Sequence, residues 1–287
     1  MLLVSAAKHV LRVDPARALN ALCVGYAELP RSIALVVAHP DDEVIGVGGC
    51  LACWVDRTVI VHVTDGAPID CSDARRAGFT NAADYARARR RETWTALACL
   101  PRQPIAFVPL GFTDQRVTHQ LFDLVTRLRK LFRVRAPEVV VTHAYEGGHP
   151  DHDAVAFAVQ TARASAEVPA FHVIEFAEYH ENAAGALVTN RFARCGEADG
   201  RIASALTPQD RRRKQLMLRC FGTQRRVLDA FRCDEEWLRP APEHDFARPP
   251  AHGRVLFDRF NWGVTSDGWR ALVAEASRRL AADGVTC

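Results

Sequence analysis

Lysine is nearly missing from this chain of 287 residues: Lys8, Lys130 and Lys214 stand against 34 arginines. The acids also number 34, so the formal net charge is only +3. A balance so close to neutral offers no general field to nucleic acid or to an acidic membrane. The arginines are interleaved with acids along the chain, which fits compositional bias better than a phosphate-binding surface. Long hydrophobic runs are lacking too. The longest, such as residues 33–38, fall far short of the roughly 18 residues that a membrane span needs. The first twenty residues contain Lys8, Arg12, Asp14 and Arg17 and no apolar core of signal-peptide length. Cysteine is present but unorganised: nine residues, an odd number, are scattered along the chain. Free thiols and a cytoplasmic location are therefore expected. Cys50-x-x-Cys53 has no second pair to complete a metal site and reads as two small buried residues on one face. A dinucleotide fingerprint is missing as well. Gly46, Gly48 and Gly49 do not spell G-x-G-x-x-G, and acids stand where a pyrophosphate would approach.

What remains is an ordinary globular composition, 48% hydrophobic and 25% charged, in a chain long enough for a large core. Continuous β-prone runs occur at 33–38, 59–63, 105–108, 139–142 and 171–176. Helical stretches are expected at 48–55, 82–100, 120–132 and 153–164. Strands alternating with helices predict an α/β protein built on a mostly parallel sheet flanked by helices. After Glu178 the pattern loosens. One helix is expected over 208–231, starting behind Thr207-Pro208, and a terminal helix over 267–282. Between them residues 239–253 hold four prolines and read as an irregular C-terminal excursion. The whole chain, 1–287, reads as one domain.

Two clusters concentrate the chemistry. The first run leads into Ala38-His39-Pro40-Asp41-Asp42-Glu43, and the fourth into His143 and then His149-Pro150-Asp151-His152-Asp153. In parallel sheets ligands bind beyond the carboxyl ends of the strands, so these two loops are expected to converge. Imidazole with carboxylate suits zinc, and Fe²⁺ or Co²⁺ are accepted by the same donors. A catalytic site of this kind needs about three protein ligands and a nearby carboxylate to accept a proton. Spacing alone leaves open which of Asp41, Asp42 and Glu43 does what, and one of the acids is expected to cap the helix that follows.

The motif Ala38-His-Pro-Asp-Asp-Glu43 with Gly48-Gly49, followed by His149-Pro-Asp-His152, resembles the signature of the PIG-L (LmbE-like) zinc-dependent deacetylases. Thr64-Asp65-Gly66, Arg89-x-x-Glu92, Leu110-Gly-Phe-Thr-Asp114 and Lys214 with Thr223-Gln224 extend the resemblance over about residues 33–225. It implies a Rossmann-like fold and hydrolysis of an N-acetyl or other N-acyl group on a small amino sugar or glycoconjugate. By motif, His39, Asp42 and His152 would hold Zn²⁺. Asp41 would be the general base toward a metal-activated water, and His149 would stabilise the oxyanion as an imidazolium. Arg89 and Asp114 would contact substrate, with Arg90 and Arg91 as alternatives to Arg89. Some members carry a tyrosine two residues before the first histidine of the second motif. Here Gly147 stands there, with Tyr145 further back, and Gly147-Gly148 would make the loop adaptable.

Two other readings accompany this one: an amidase acting on a larger acyl or thiol-conjugate amide, and a non-catalytic, metal-stabilised glycan-binding protein. The arginine runs at 87–91 and 211–213 read as solvated helix faces, so no nucleic-acid partner and no membrane span are expected. Homo-oligomerisation is left open.

Overall fold

The computed structural model describes residues 14–25, 28–193, 200–250 and 255–284. All five expected runs are strands: β1 (Ile33–Val37), β2 (Thr58–Thr64), β3 (Ala106–Phe112), β4 (Val139–His143) and β5 (His172–Phe176). A short hairpin follows, β6 (Tyr179–Glu181) and β7 (Leu187–Thr189), and then β8 (Ile202–Ala205) and β9 (Glu235–Pro240). The main sheet runs β3-β2-β1-β4-β5-β9-β8. Its first five strands are parallel, while β9 and β8 are antiparallel additions at one edge. β1, β2 and β4 are buried along their whole length, as strands covered on both faces must be.

Helices cover both faces: α1 (Pro15–Val24), α2 (Asp42–Val47), α3 (Ser72–Arg76), α4 (Ala82–Leu97), α5 (Leu121–Arg135), α6 (Pro150–Ala164), α7 (Pro208–Arg219), α8 (Arg225–Leu228) and α9 (Ser266–Ala282). Alternation along the strands divides the core. Val36 and Val61 pack with Leu124, Leu128, Val155 and Trp269 of α5, α6 and α9. Leu35, Val37 and Ile60 face the opposite way, toward Leu22, Val44, Leu97 and Met217 of α1, α2, α4 and α7.

Several expected boundaries move. The helix expected at 48–55 begins at Asp42 and ends at Val47, with 3-10 turns at Cys50–Cys53 and Val55–Arg57 behind it. The motif acids therefore occupy the first turn of a helix. Cys50 is buried, but Cys53 ends its turn in solvent, so the two do not share a buried face. The helix expected over 208–231 breaks after Arg219. There Glu92 takes both the amide and the hydroxyl of Thr223 and draws the chain aside. The loosened region after Glu178 supplies four strands, whose short, mixed sequences carry no clear period. Residues 241–250 are irregular, as expected of the Pro-rich excursion, and 251–253 lie outside the described residues.

The chain leaves β1 toward β2 and β3 on one side, then returns to β4 and β5 on the other. The connections after β1 and β4 thus diverge at a topological switch point, where ligands bind in such sheets. The far end of α2 is pinned from below. Lys214 is wholly buried; its Nζ donates to the Ile45 carbonyl and to Glu236 Oε1, each at 2.7 Å. Glu236 also accepts the Gly49 and Cys50 amides. Removing one member of such a buried pair strands the other charge, so Lys214→Met is expected to lose about 3 kcal/mol. Urea unfolding at neutral pH measures it.

Candidate active site

The site grows from the first turn of α2. Asp41 has φ 137°, a conformation that L residues rarely adopt and that costs on the order of 1–3 kcal/mol unless the surroundings hold it. It occupies the N-cap position, yet its side chain makes no capping bond. The expected cap is absent because this backbone turns the carboxylate toward α4, where Arg89 Nη2 lies 2.9 Å from Asp41 Oδ2. Asp42 points inward instead, and its Oδ2 accepts the His39 amide at 2.7 Å.

From the β4 side, α6 begins at Pro150 and carries His152 into the same space. His39 Nδ1 lies 3.2 Å from His152 Nε2 and 3.3 Å from Asp42 Oδ2, and His152 Nε2 lies 3.5 Å from Asp42 Oδ1. A tetrahedral zinc site with bonds of about 2.0–2.1 Å has donor-to-donor edges of roughly 3.3 Å. The three residues expected as ligands thus present their donors at the spacing such an ion requires. The outer nitrogens face carboxylates: His39 Nε2 is 3.0 Å from Asp114 Oδ1, and His152 Nδ1 is 3.0 Å from Glu178 Oε2. Partners at the outer nitrogen orient metal-binding imidazoles and leave the inner nitrogen free to coordinate. Electrostatics agree. Although burial opposes it, Asp114 and Asp42 raise the His39 ring well above its ordinary range, so positive charge is favoured where the three donors meet. Groups that can hold a metal also include His39 with His149 and His152, His39 with Asp114 and Asp151, and Asp42 with His143, His152 and Glu178.

Residues 34–163 match the family described as PIG-L, GlcNAc-PI de-N-acetylase. That stretch of the chain is similar to the PIG-L family. A Bacillus cereus protein, "Probable N-acetyl-alpha-D-glucosaminyl L-malate deacetylase 2", is 27% identical over 179 residues, covering 60% of this chain and 74% of the relative. Among solved structures, the A40926 pseudoaglycone deacetylase superposes with a TM-score of 0.55 at 22% identity, over 75% of this chain and 100% of that one. The 4-carboxy-2-hydroxymuconate hydratase of Pseudomonas putida does so with a TM-score of 0.52 at 20% identity, over 74% and 97%. These structural likenesses are of fold, and the fold carries more than one reaction.

The remaining PIG-L positions are placed as follows. Arg89 is buried on the face of α4 that also carries Tyr85 and Thr93, while Arg87, Arg90 and Arg91 are exposed. Besides Asp41, its guanidinium donates to Gly66 O at 2.8 Å and Pro40 O at 2.7 Å. Arg89 is therefore the partner of Asp41 in this structure. A Cβ on Gly66 would stand 2.5 Å from Arg89 Nη1, so only glycine admits this grip. Burial pushes the Asp41 carboxyl well up, against the pull of Arg89, as suits a proton acceptor.

His149 Nδ1 accepts the Asp151 amide at 3.1 Å, which leaves Nε2 to carry the proton. Burial, together with His39 and His152, holds this ring well below its ordinary range. Both observations favour a neutral imidazole over the imidazolium that the resemblance implies. Tyr145 does not turn toward the site: its hydroxyl donates to Arg248 O, and its ring lies against Phe246 and Trp269. Nor is the glycine pair adaptable. A Cβ on Gly148 would lie 2.1 Å from Tyr179 O, so the pair serves close packing.

Sequence reasoning placed His143 in the second cluster without a role and passed over Glu178 and Trp262. His143 ends β4; its Nε2 accepts the Ala38 amide, and its ring stacks on His152 at 4.1 Å. Trp262 lies over His149 with ring centroids 4.6 Å apart. Beside Asp114 opens a cavity of about 160 Å³, walled by Ile69, Asp70, Gln115, Arg116 and Asn261. His143 closes β4 directly before the second motif loop, so position alone could have signalled its role. Glu178 and Trp262 fall outside the matched stretch.

Next to the site, burial raises the Glu146 carboxyl from its ordinary 4.5 to about 8, against the pull of Arg239 and the Ala193 amide. A carboxyl raised in the folded state stabilises most below its unfolded pKa, and that stability is lost as pH climbs through the folded one. Wild-type stability is therefore expected to fall between pH 5 and 8. Glu146→Gln, which still accepts the Ala193 amide, should flatten the profile and be the more stable protein at pH 8 by urea unfolding.

Proposed function

We propose that this protein is a zinc-dependent N-deacetylase: it removes an N-acetyl group from an amino sugar or related glycoconjugate and releases acetate and a free amine. The observation that carries the reading is the spacing of 3.2–3.5 Å among His39 Nδ1, Asp42 and His152 Nε2, beside a carboxylate held by Arg89. His39, Asp42 and His152 hold the ion. When bound, zinc supplies Lewis acidity that lowers the pKa of a water and polarises the acyl oxygen.

The chain's own groups do the rest. Asp41 accepts the proton of the attacking water and delivers it to the departing amine. Arg89 fixes the direction of that carboxylate. His149 presents Nε2–H to the oxygen on which charge develops, a donor set in place before the reaction begins. The polar walls of the cavity beside Asp114 suit a hydroxyl-bearing ring better than a long acyl chain. The named activity of the Bacillus cereus relative, toward a glucosaminyl conjugate, favours the same substrate class.

Acetate release across a panel of N-acetylated amino sugars and bulkier amides tests the reading. Turnover is expected for the sugars; turnover of the bulky amides alone would favour the amidase. Asp41→Asn should retain zinc and lose at least about 10²-fold in kcat, the scale of a general base. Full activity in that variant would remove Asp41 from the role. Chelation should abolish turnover, and added Zn²⁺ should restore it.

A further inference from the structure

Glu43, the third acid of the first motif, takes no part in the chemistry above, yet it is wholly buried. Its Oε2 accepts the backbone amide of Asp41 at 3.2 Å and lies 3.0 Å from His62 Nε2. His62 belongs to β2, an otherwise apolar strand apart from the threonines at its ends, and is itself 2% exposed. It stands in register with Val37 of β1, two residues before His39. Packing alone does not call for a histidine there; an apolar side chain would fill the place against Phe107, whose ring centroid is 4.7 Å away.

The Asp41 backbone is the strained point of the site, at φ 137°. Arg89 grips its carboxylate from α4, but a grip on the side chain does not fix φ. The amide is held separately, by Glu43, and Glu43 is held by His62. We propose that His62 is a positioning residue for Asp41, acting through Glu43: it keeps the Asp41 amide anchored and the carboxylate turned into the site. Without it Asp41 relaxes toward an ordinary cap of α2, and the base swings away from the position its reaction needs. The inference rests on Asp41 being the base.

The test uses the zinc-loaded full chain. His62→Phe keeps the ring against Phe107 and removes the donor. Its kcat should fall by about tenfold or more, since misplacement of a reacting group by an ångström can cost more than that. KM and zinc affinity should stay within about twofold, which a general loss of structure would not allow. His62→Gln, whose amide nitrogen can reach Glu43, should recover most of the rate. Glu43→Gln serves as the second variant, and because the two residues act in one chain the double variant should be no worse than the poorer single. Hydrogen exchange across 38–44 should quicken in His62→Phe. That readout needs no substrate, so it stands if the deacetylase reading fails. Wild-type kcat and exchange in folded His62→Phe would overturn the proposal, as would a parallel loss of zinc affinity or additive losses in the double variant.

Discussion

The structure depends on a crowd of buried carboxyl groups at one edge of a sheet. Asp41, Asp42, Glu43, Asp114, Asp151 and Glu178 are all buried around the ends of β1 and β4. Buried charges are costly unless paired. Arg89 answers one of them, and His62 answers Glu43. The rest converge on His39, His143 and His152, and the fields of Asp114 and Asp42 draw positive charge onto His39. The divalent ion proposed among His39, Asp42 and His152 would meet that same demand. Under the proposed function, the acids that are not ligands would favour a cation there and orient the imidazoles toward it.

The scaffold around this edge is stiff where the chemistry needs it. α2 is clamped at its far end by Lys214 and Glu236, and α4 is tied to the Thr223 turn through Glu92. Arg89 sits on that same α4. The late Lys214 and Thr223-Gln224 elements therefore steady the two helices that carry Asp41, Asp42 and Arg89. Residues beyond the matched stretch supply Glu178, Trp262 and Glu236, so the second half of the chain completes the site's surroundings.

Much of this was legible in the sequence. Continuous apolar runs such as Ile33–Val37 announce central parallel strands because both faces are buried. The two His/Asp clusters follow such runs, and topology alone brings them together. Arg89 was preferred to its neighbours Arg90 and Arg91, and its helical spacing with Tyr85 and Thr93 shows why it is the buried one. Its role was less legible: nothing local in the sequence says that Gly66 and Pro40 occupy its donors. His62 and Glu178 were invisible for a related reason. Each earns meaning only from a partner on another element. β8 and β9 were missed because short edge strands of mixed polarity carry no period, and the break after Arg219 depends on Glu92, far away in sequence.

The central claim is that the three converging donors hold one divalent cation. Zinc-edge anomalous diffraction from crystals of the zinc-loaded protein tests it directly. The account predicts one peak per chain among His39 Nδ1, the Asp42 carboxylate and His152 Nε2, lost in His39→Ala. A peak elsewhere, or no ion at this position in a protein that turns over, would contradict it.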